Sequence, residues 1–308
     1  MTINATGAFM NTLLIIAIVL DPLKLLRKGA WITILNLALA DFISSVSNFL
    51  DVGFNTLTFR VSGLEHVKII RFVLIFGISA SFMLLTVLTI ETYIVTKFPI
   101  RSRLMLTVKR SVLFCLTAWV LALPFGLSNI AYRFTTDLKT VMKVYIGQIA
   151  ALELVVVVQV IIKFLIIGEI MKSRENTQQQ QSNIKHKEVA KTIVILNAIL
   201  IVTALPFFVS KQLEFLWKVG LVGGDRLVWT FSNYYEPIAA INYLANPILY
   251  ALRWPDYRRT LFAPFAKFKR KGVFCFWVPS RLTQREPTIN ADDESSPHPE
   301  SPNVTTKF

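Results

Sequence analysis

Apolar residues are not spread evenly along the 308-residue chain but collect in long blocks separated by polar, basic connectors. Seven blocks can be delimited, at about 8–26, 31–57, 67–97, 107–131, 140–171, 188–217 and 227–252. A helix needs about 20 apolar residues to cross the roughly 30 Å hydrocarbon core of a bilayer. Because lipid offers the backbone no hydrogen-bond partner, such blocks predict helices. The pattern therefore predicts an all-α membrane protein built as a bundle of seven transmembrane helices.

The segments outside the blocks divide the chain into four regions. Residues 1–7 predict a short extracellular N-terminus, and residues 8–252 form the seven-transmembrane domain. The stretch RWPDYRRTLFAPFAKF predicts a short amphipathic helix on the membrane surface at 253–266. Residues 267–308, rich in Pro, Ser and acidic residues towards their end, predict a disordered cytoplasmic tail. The first block is short, which indicates either a tilted helix or an incomplete N-terminus.

Composition and charge agree with a membrane protein. The chain is 54% hydrophobic and 17% charged, whereas a soluble domain is about 45–50% apolar and about 25% charged. The net charge of +14 does not call for a nucleic-acid partner, because membrane proteins concentrate Lys and Arg in cytoplasmic loops. Connectors on one side carry 23 Lys and Arg, against 9 on the other. This bias predicts a multi-pass plasma-membrane protein with its N-terminus outside and its C-terminus in the cytoplasm.

Catalytic chemistry and a metal site built from histidines or cysteines are not indicated. The three histidines lie in loops or in the tail, and the two cysteines are far apart, so neither a catalytic triad nor a disulfide is expected. Cys275 follows a basic run and stands among aromatic residues, which predicts palmitoylation at the membrane. A transporter is the rival class to a receptor. The absence of a detectable internal repeat argues against a transporter.

Several polar residues lie at membrane depth, where they are costly and usually functional. Asp41 falls inside the second block, Ser81 in the third, and Asn242 and Asn246 in the seventh. A carboxylate with hydroxyl and amide oxygens around it can hold a small cation. Alternatively, Asp41 is a protonated acid in a hydrogen-bond network between helices. The residues alone leave both interpretations open.

Motifs in successive blocks resemble those of the rhodopsin-like (class A) G-protein-coupled receptors. They are LALAD ending at Asp41, Glu91-Thr92-Tyr93 closing the third block, LPFF with Pro206 in the sixth, and NPILY at 246–250 in the seventh. The resemblance covers roughly residues 8–265. Either LALAD or NPILY alone is weak, but both in the matching helices of a seven-span chain are specific.

The resemblance implies a receptor, not an enzyme, that binds an extracellular ligand and engages a heterotrimeric G protein inside the cell. It implies no cofactor except a structural sodium ion, held by the residues that match the family's site: Asp41, Ser81, Asn242 and Asn246. It also implies a set of residues that switch the bundle and contact the G protein: Glu91, Thr92, Tyr93, Pro206, Asn246, Pro247 and Tyr250. The kinks at the two prolines are either hinges or static.

The third block departs from the family, which has an arginine where this chain has Thr92. That arginine normally pairs with the acid beside it at rest and reaches the G protein in the active state. Without it, we expect Glu91 to pair with a base such as Lys191 or to face water. The restraint on the resting state should then be weak, and coupling low or atypical. The alternative is full coupling through Tyr250, the basic loops and the surface helix.

The lack of a proline in the fifth block and of an extracellular disulfide is similar to the melanocortin receptors. Asp51 stands where those receptors have an acid, but Val67 and Arg71 stand near the positions of their further acids. The resemblance therefore favours this subgroup only in part.

The residues expected to face the mouth of the bundle and bind the ligand are two acids, two bases and four apolar residues: Asp51, Arg71, Leu74, Ile75, Phe207, Phe208, Lys211 and Glu236. Amine receptors of the family carry an aspartate at the position of Leu74, so a monoamine is not expected. Charges of both signs above an apolar floor predict a zwitterionic, peptide-like or polar lipid ligand. Alternatively, these charges pair with one another and serve only the structure.

Overall fold

The computed structural model describes residues 1–21, 29–57, 65–98, 100–128, 137–175, 195, 198–223, 226–253 and 259–260. Every regular element in these parts is a helix. The helices are α1 (Thr2–Leu20), α2 (Gly29–Leu57), α3 (Glu65–Lys97), α4 (Ser102–Met105), α5 (Val108–Ser128), α6 (Leu138–Glu175), α7 (Leu205–Val219), α8 (Arg226–Ala239) and α9 (Ile241–Arg253). Residues 198–203 are also helical and precede α7.

Six helices in the described parts are long and apolar enough to cross a membrane. They fall in the first six predicted blocks, which confirms the all-α membrane class. The seventh block is divided into α8 and α9 by a break at Ala240. At this break the Tyr243 N–H bonds the Ala240 carbonyl at 3.2 Å, a tighter i+3 pattern than an α-helix uses.

One boundary differs from the sequence prediction, and a second predicted element lies mostly outside the described residues. The first helix begins at Thr2 rather than near residue 8, so most of the predicted N-terminal segment is helical. In the predicted surface helix at 253–266, residues 259–260 are helical and most of the remainder lies outside the described residues. Cys275 and the tail also lie outside them.

Helix α3 is central to the bundle because it packs against α2, α5 and α6. Its contact with α2 is the most extensive, and small residues make that contact close. Gly77 of α3 lies against Ser44 of α2, and Ala40 and Ala80 are fully buried. Small residues allow membrane helices to approach closely and gain van der Waals contact, which replaces the hydrophobic driving force that lipid does not supply.

The outer faces of α5 and α6 are apolar and exposed, as expected for surfaces that contact lipid. Examples are Leu116 and Val120 on α5 and Phe164 and Leu165 on α6, each more than half exposed. The polar side chains that face inward therefore depend for hydrogen bonds on one another or on backbone carbonyls, since lipid supplies none.

The ends of two helices are fixed by local hydrogen bonds. Asp137 precedes α6 and accepts bonds from the Thr140 hydroxyl at 2.6 Å and from the Lys139 and Thr140 amides at 3.1 Å. These bonds to its carboxylate, that from the Thr140 hydroxyl first, lower the pKa of Asp137. Helix α7 ends at Gly220, whose φ of 80° is strained for other residues and ordinary for glycine.

The close α2–α3 contact predicts that Gly77→Ala is destabilising. The new Cβ would lie 2.7 Å from the Ser44 hydroxyl oxygen and 3.2 Å from the Ser44 backbone nitrogen. Overpacking of this kind costs about 1–3 kcal/mol, so the purified protein should unfold at a lower temperature in detergent. Gly147→Ala in α6 is the matched control, because nothing lies within 4 Å of its Cβ. It should stabilise the helix by about 0.5–1 kcal/mol. Equal shifts for both variants would contradict the close contact.

Candidate functional site

A buried polar cluster lies where α2, α3 and α9 meet. Asp41 of α2 is fully buried. The Ser81 hydroxyl of α3 donates to its Oδ1 at 2.5 Å, and the Asn246 side-chain amide of α9 donates to its Oδ2 at 2.9 Å. Asn242 is one turn from Asn246 and also buried, but it does not bond Asp41, and its Nδ2 has no hydrogen-bond partner in the described structure. The structure thus brings three of the four predicted residues into direct contact.

The chemistry of this cluster fits a monovalent cation. Within the described residues, no Lys or Arg pairs with the Asp41 carboxylate, and no group of three or more His, Cys, Asp or Glu residues is found that could hold a metal ion. A single carboxylate with hydroxyl and amide oxygens offers hard ligands but only one negative charge. In the geometry observed, Ser81 and Asn246 act as donors. A cation would require the Asn246 amide to present its oxygen instead.

A second buried carboxylate lies near the end of α3. Glu91 is 3% exposed and accepts hydrogen bonds from the Thr33 hydroxyl of α2 at 2.9 Å and the Ser111 hydroxyl of α5 at 2.8 Å. The expectation that Glu91 faces water is therefore wrong, whereas its expected pairing with a base such as Lys191 falls outside the described residues. Two hydroxyls from neighbouring helices take the place of a cationic partner.

The residues that follow Glu91 make only local bonds. The Thr92 hydroxyl donates to the Leu88 carbonyl of its own helix at 2.7 Å. Lys97 donates to the Tyr93 hydroxyl at 2.8 Å, and the Tyr93 side chain packs against the apolar pair Ile166 and Ile170 of α6. In the described structure, Thr92 therefore does not make the hydrogen bonds to other helices that an arginine at this position would make.

A cavity of about 250 Å³ opens between α3, α6, α7 and α8. Six of the eight predicted ligand-binding residues line it: Leu74, Ile75, Phe207, Phe208, Lys211 and Glu236. Sequence reasoning missed ten further lining residues, of which α6 supplies four: Asn48, Ile78, Tyr145, Gln148, Ile149, Leu152, Phe215, Ala239, Ala240 and Tyr243. A long helix with apolar residues on all sides gives no periodic signal for the face that points inward.

Two predicted ligand-binding residues do not line this cavity. Arg71 and Asp51 form an ion pair, with Arg71 Nε 3.2 Å from Asp51 Oδ1. The pair matches the alternative in which the charges at the mouth serve the structure. It is partly exposed, since the Arg71 side chain is 54% accessible, so it contributes only about 0–1 kcal/mol.

The other charges at this end of the bundle are also partly paired. Glu214 of α7 is buried and binds Lys211 at 3.3 Å, Lys218 at 2.7 Å and the Ser232 hydroxyl of α8 at 3.0 Å. Glu236 differs, because within the described residues its carboxylate makes no hydrogen bond and no ion pair. The Asn48 side-chain oxygen, also in the cavity wall, is buried without a hydrogen-bond donor from the described structure. The cavity thus presents two acceptors that lack donors.

The kink at Pro206 is stabilised by a side chain from α8. Proline has no N–H, so the carbonyl four residues earlier, that of Val202, loses its helical partner. The Tyr235 hydroxyl donates to this carbonyl. Tyr235 also stacks on Phe231 of its own helix, with ring centroids 5.2 Å apart. Tyr235 directly precedes Glu236 in α8. The residue that bonds the carbonyl freed by Pro206 is therefore next to a residue of the cavity wall.

The NPILY segment lies in α9, with Pro247 inside the helix and Tyr250 buried in the main apolar core. Asn11 of α1 is fully buried. Its amide donates to the Tyr243 carbonyl at 3.0 Å and to the Gly7 carbonyl at 2.9 Å, so α1 is bonded to α9 immediately beyond the break at Ala240.

Sequence reasoning missed several polar residues that the structure makes prominent. Thr33 and Ser111 carry no sequence signal, because a hydroxyl in an apolar helix is usually bonded to its own backbone. Glu214 and Lys163 did carry one, since both are charges inside predicted spans. Lys163 is 4% exposed, and its ammonium has no hydrogen-bond partner in the described structure.

Comparison with known proteins identifies the class. Residues 10–250 match the family described as "7 transmembrane receptor (rhodopsin family)". Because this match covers more than half of the chain, the protein belongs to that family. It is a multi-pass membrane protein, and its relatives are receptors rather than enzymes.

Individual relatives are more distant. Chemerin-like receptor 1 of Bos taurus is 30% identical over 124 residues, which are 40% of this chain and 34% of that receptor. Melanocortin receptor 5 of Rattus norvegicus is 25% identical over 84% of this chain and 81% of its own length. Lysophosphatidic acid receptor 4 of Mus musculus is 22% identical over 84% and 77%. The chain thus matches only about a third of the chemerin-like receptor, and the melanocortin subgroup receives weak support.

The bonding of Glu91 predicts a specific loss of stability. Ser111→Ala removes one of two donors to a buried carboxylate, which costs about 1–3 kcal/mol, and should lower the thermal unfolding temperature in detergent. Thr117→Ala is the matched control in the same helix. Its hydroxyl is exposed and bonds only the Leu113 carbonyl at 2.9 Å. That change should stay within about 0.5 kcal/mol. If the two variants unfold alike, the Ser111–Glu91 bond does not stabilise the bundle.

Proposed function

We propose that this protein is a cell-surface receptor that binds an extracellular ligand in the cavity and transmits a signal to a heterotrimeric G protein. The cavity carries the proposal. It is lined by Leu74 and Ile75 near the start of α3, and Glu91 lies about 25 Å further along the same helix at 1.5 Å per residue. This separation suits a ligand bound at one membrane face and a protein partner bound at the other. Membership of the receptor family supports the same arrangement.

The orientation is part of the proposal. The connectors beyond the Glu91 end of α3 belong to the set with 23 Lys and Arg, against 9 on the cavity side. Basic residues are retained on the cytoplasmic side of membranes. The charge bias supports an orientation with the cavity outside the cell and the Glu91 end in the cytoplasm, and we propose the plasma membrane as the location.

The ligand is proposed to have an apolar body and a cationic, donor-rich group. The two acceptors in the cavity wall without donors, Glu236 and Asn48, favour an ammonium or guanidinium group. Phe207, Phe208 and Leu74 supply apolar contacts. A basic peptide fits this chemistry better than an anionic phospholipid does, although one relative is a lysophosphatidic acid receptor by name. Lys211 also lines the cavity, but it is already paired with Glu214.

Coupling to the G protein is proposed to be atypical, because Thr92 offers one hydroxyl that is already bonded within its helix. An arginine at this position would offer five donors on a planar group. The bonds of Glu91 to Thr33 and Ser111 link α2, α3 and α5 without any contribution from Thr92. The restraint at the end of α3 therefore does not depend on Thr92.

The Asp41 cluster is proposed to hold sodium in the resting state. Asp41 would supply the charge, and Ser81 and Asn246 the neutral oxygens, with Asn242 one turn away. A bound sodium ion would link α2, α3 and α9. It would also neutralise the charge of the Asp41 carboxylate, which is fully buried.

Sodium should therefore raise the thermal stability of the purified receptor. A ligand that binds only the folded state stabilises it by RT ln(1 + [L]/Kd), so the unfolding temperature should be higher in NaCl than in choline chloride of equal ionic strength. Asp41→Ala should abolish this difference. Asp51→Asn, which alters an acid outside the cluster, should preserve it. A sodium effect that persists in Asp41→Ala would refute the proposed site.

The ligand proposal predicts a charge-dependent response to Glu236→Gln. Cells expressing the receptor would be screened for G-protein activation with a library of basic peptides and, separately, with lysophosphatidic acid. A basic peptide should activate the wild type, and Glu236→Gln should weaken its potency at least about tenfold, since a charged pair in a cavity is worth about 1.5–3 kcal/mol. Asp51→Asn is the control, because that acid is already paired. Activation by lysophosphatidic acid alone, with Glu236→Gln unaffected, would contradict the proposed ligand class.

A further inference from the structure

Lys163 is a buried cation within a transmembrane helix. It lies in the span Leu138–Lys172, nine residues or about 14 Å from the Lys172 end at 1.5 Å per residue. Its side chain is 4% exposed, and no described residue accepts a hydrogen bond from its ammonium. An ion in such surroundings costs several kcal/mol unless it is paired. A charge of this kind in a membrane protein points to a function.

The neighbours of Lys163 on α6 place it against α3. One turn earlier, Gln159 donates to the Phe82 carbonyl and to the Thr86 hydroxyl of α3, both at 2.8 Å. Three residues later, Ile166 belongs to the apolar cluster that packs against Tyr93 of α3. Residues 159, 163 and 166 share one face of a helix. Lys163 therefore faces α3 between the levels of Thr86 and Tyr93, the stretch that contains Glu91 and Thr92.

The acids of this region do not neutralise Lys163. The carboxylate oxygens of Glu91 accept bonds from Thr33 and Ser111 on the opposite side of α3. Glu169, on the same helix as Lys163, forms no ion pair with it in the described structure. Ile166 and Ile170, which pack with Tyr93, follow Lys163 along α6 towards the Lys172 end of the span. A small apolar layer therefore comes between the level of Lys163 and that end.

We propose that Lys163 is the cation through which this receptor binds its G protein, in place of the arginine that Thr92 replaces. This inference depends on the proposed coupling to a G protein. When the apolar layer between α3 and α6 separates, the ammonium becomes accessible to a carboxylate or backbone carbonyl of the partner. The gain is larger than for a surface lysine, because none of the described residues pairs with this buried charge. Thr92 cannot contribute such a contact while its hydroxyl is bonded to Leu88.

The test uses the full-length receptor in lipid nanodiscs and a panel of nucleotide-free heterotrimeric G proteins. At micromolar concentrations of G protein, mass action captures even a minor open state of the receptor. Four variants are compared with the wild type for binding and thermal unfolding: Lys163→Met, Lys163→Arg, Thr92→Arg and the double variant Thr92→Arg/Lys163→Met. Methionine keeps most of the length and volume of lysine without the charge.

Lys163→Met should weaken binding of the G protein at least tenfold and raise the unfolding temperature, because it removes an unpaired buried charge. Lys163→Arg should retain binding, and Thr92→Arg should restore it in the Lys163→Met background. A purely structural role for Lys163 predicts the opposite change in unfolding temperature and no rescue by Thr92→Arg.

Three results would overturn the inference. Wild-type affinity in Lys163→Met refutes it while leaving the proposed coupling intact. A wild type that binds no member of the panel, even as Thr92→Arg, refutes the coupling and the inference with it. In the third result, Lys163→Met leaves G-protein binding unchanged and alters only how the unfolding temperature depends on phosphatidylserine in the nanodisc. In that case the cation binds a lipid headgroup and not a G protein.

Discussion

Two buried carboxylates must find their hydrogen bonds inside the bundle, and helix α3 is held in place by the way they do so. Asp41 reaches α3 through Ser81, and Glu91 of α3 reaches α2 and α5 through Thr33 and Ser111. Lipid supplies no hydrogen bond at these depths to replace a lost partner. The relative positions of α2, α3 and α5 are therefore specified by a few hydroxyl groups as well as by close packing.

The pairing of charged side chains also differs between the two ends of the bundle. At the cavity end, most charges are paired: Asp51 with Arg71, and Glu214 with two lysines and a serine. Glu236 remains without a direct partner among the described residues. Towards the other end the acid Glu91 is satisfied, and the Lys163 ammonium has no hydrogen-bond partner among the described residues. The acceptor lines the proposed ligand cavity, and the cation faces α3 on the side of the bundle proposed to be intracellular.

Much of this arrangement follows from the sequence, and the remainder does not for identifiable reasons. Block length predicts the spans, and LALAD and NPILY predict the meeting of Asp41 with Ser81 and Asn246. The partners of Glu91 could not be predicted, because a serine or threonine in an apolar helix gives no indication of which neighbour it bonds. The break at Ala240 does not follow from block length, which treats 227–252 as one span although it contains Ser232, Glu236 and Pro237. Lys163 was visible as a charge in an apolar run, but only packing reveals which face of α6 it occupies.

The bond from Tyr235 to the Val202 carbonyl affects the bending stiffness of the sixth span. In an unbroken helix, the restraint at this carbonyl comes from the same chain and is lost only when the helix unwinds. Here it comes from a side chain of a different helix, so a movement of α8 relative to the sixth span would change it without unwinding the helix. One hydrogen bond contributes about 0.5–1.5 kcal/mol, which is one to three times the thermal energy. The stiffness of the Pro206 region is therefore adjustable by any force that acts on the residue next to Glu236.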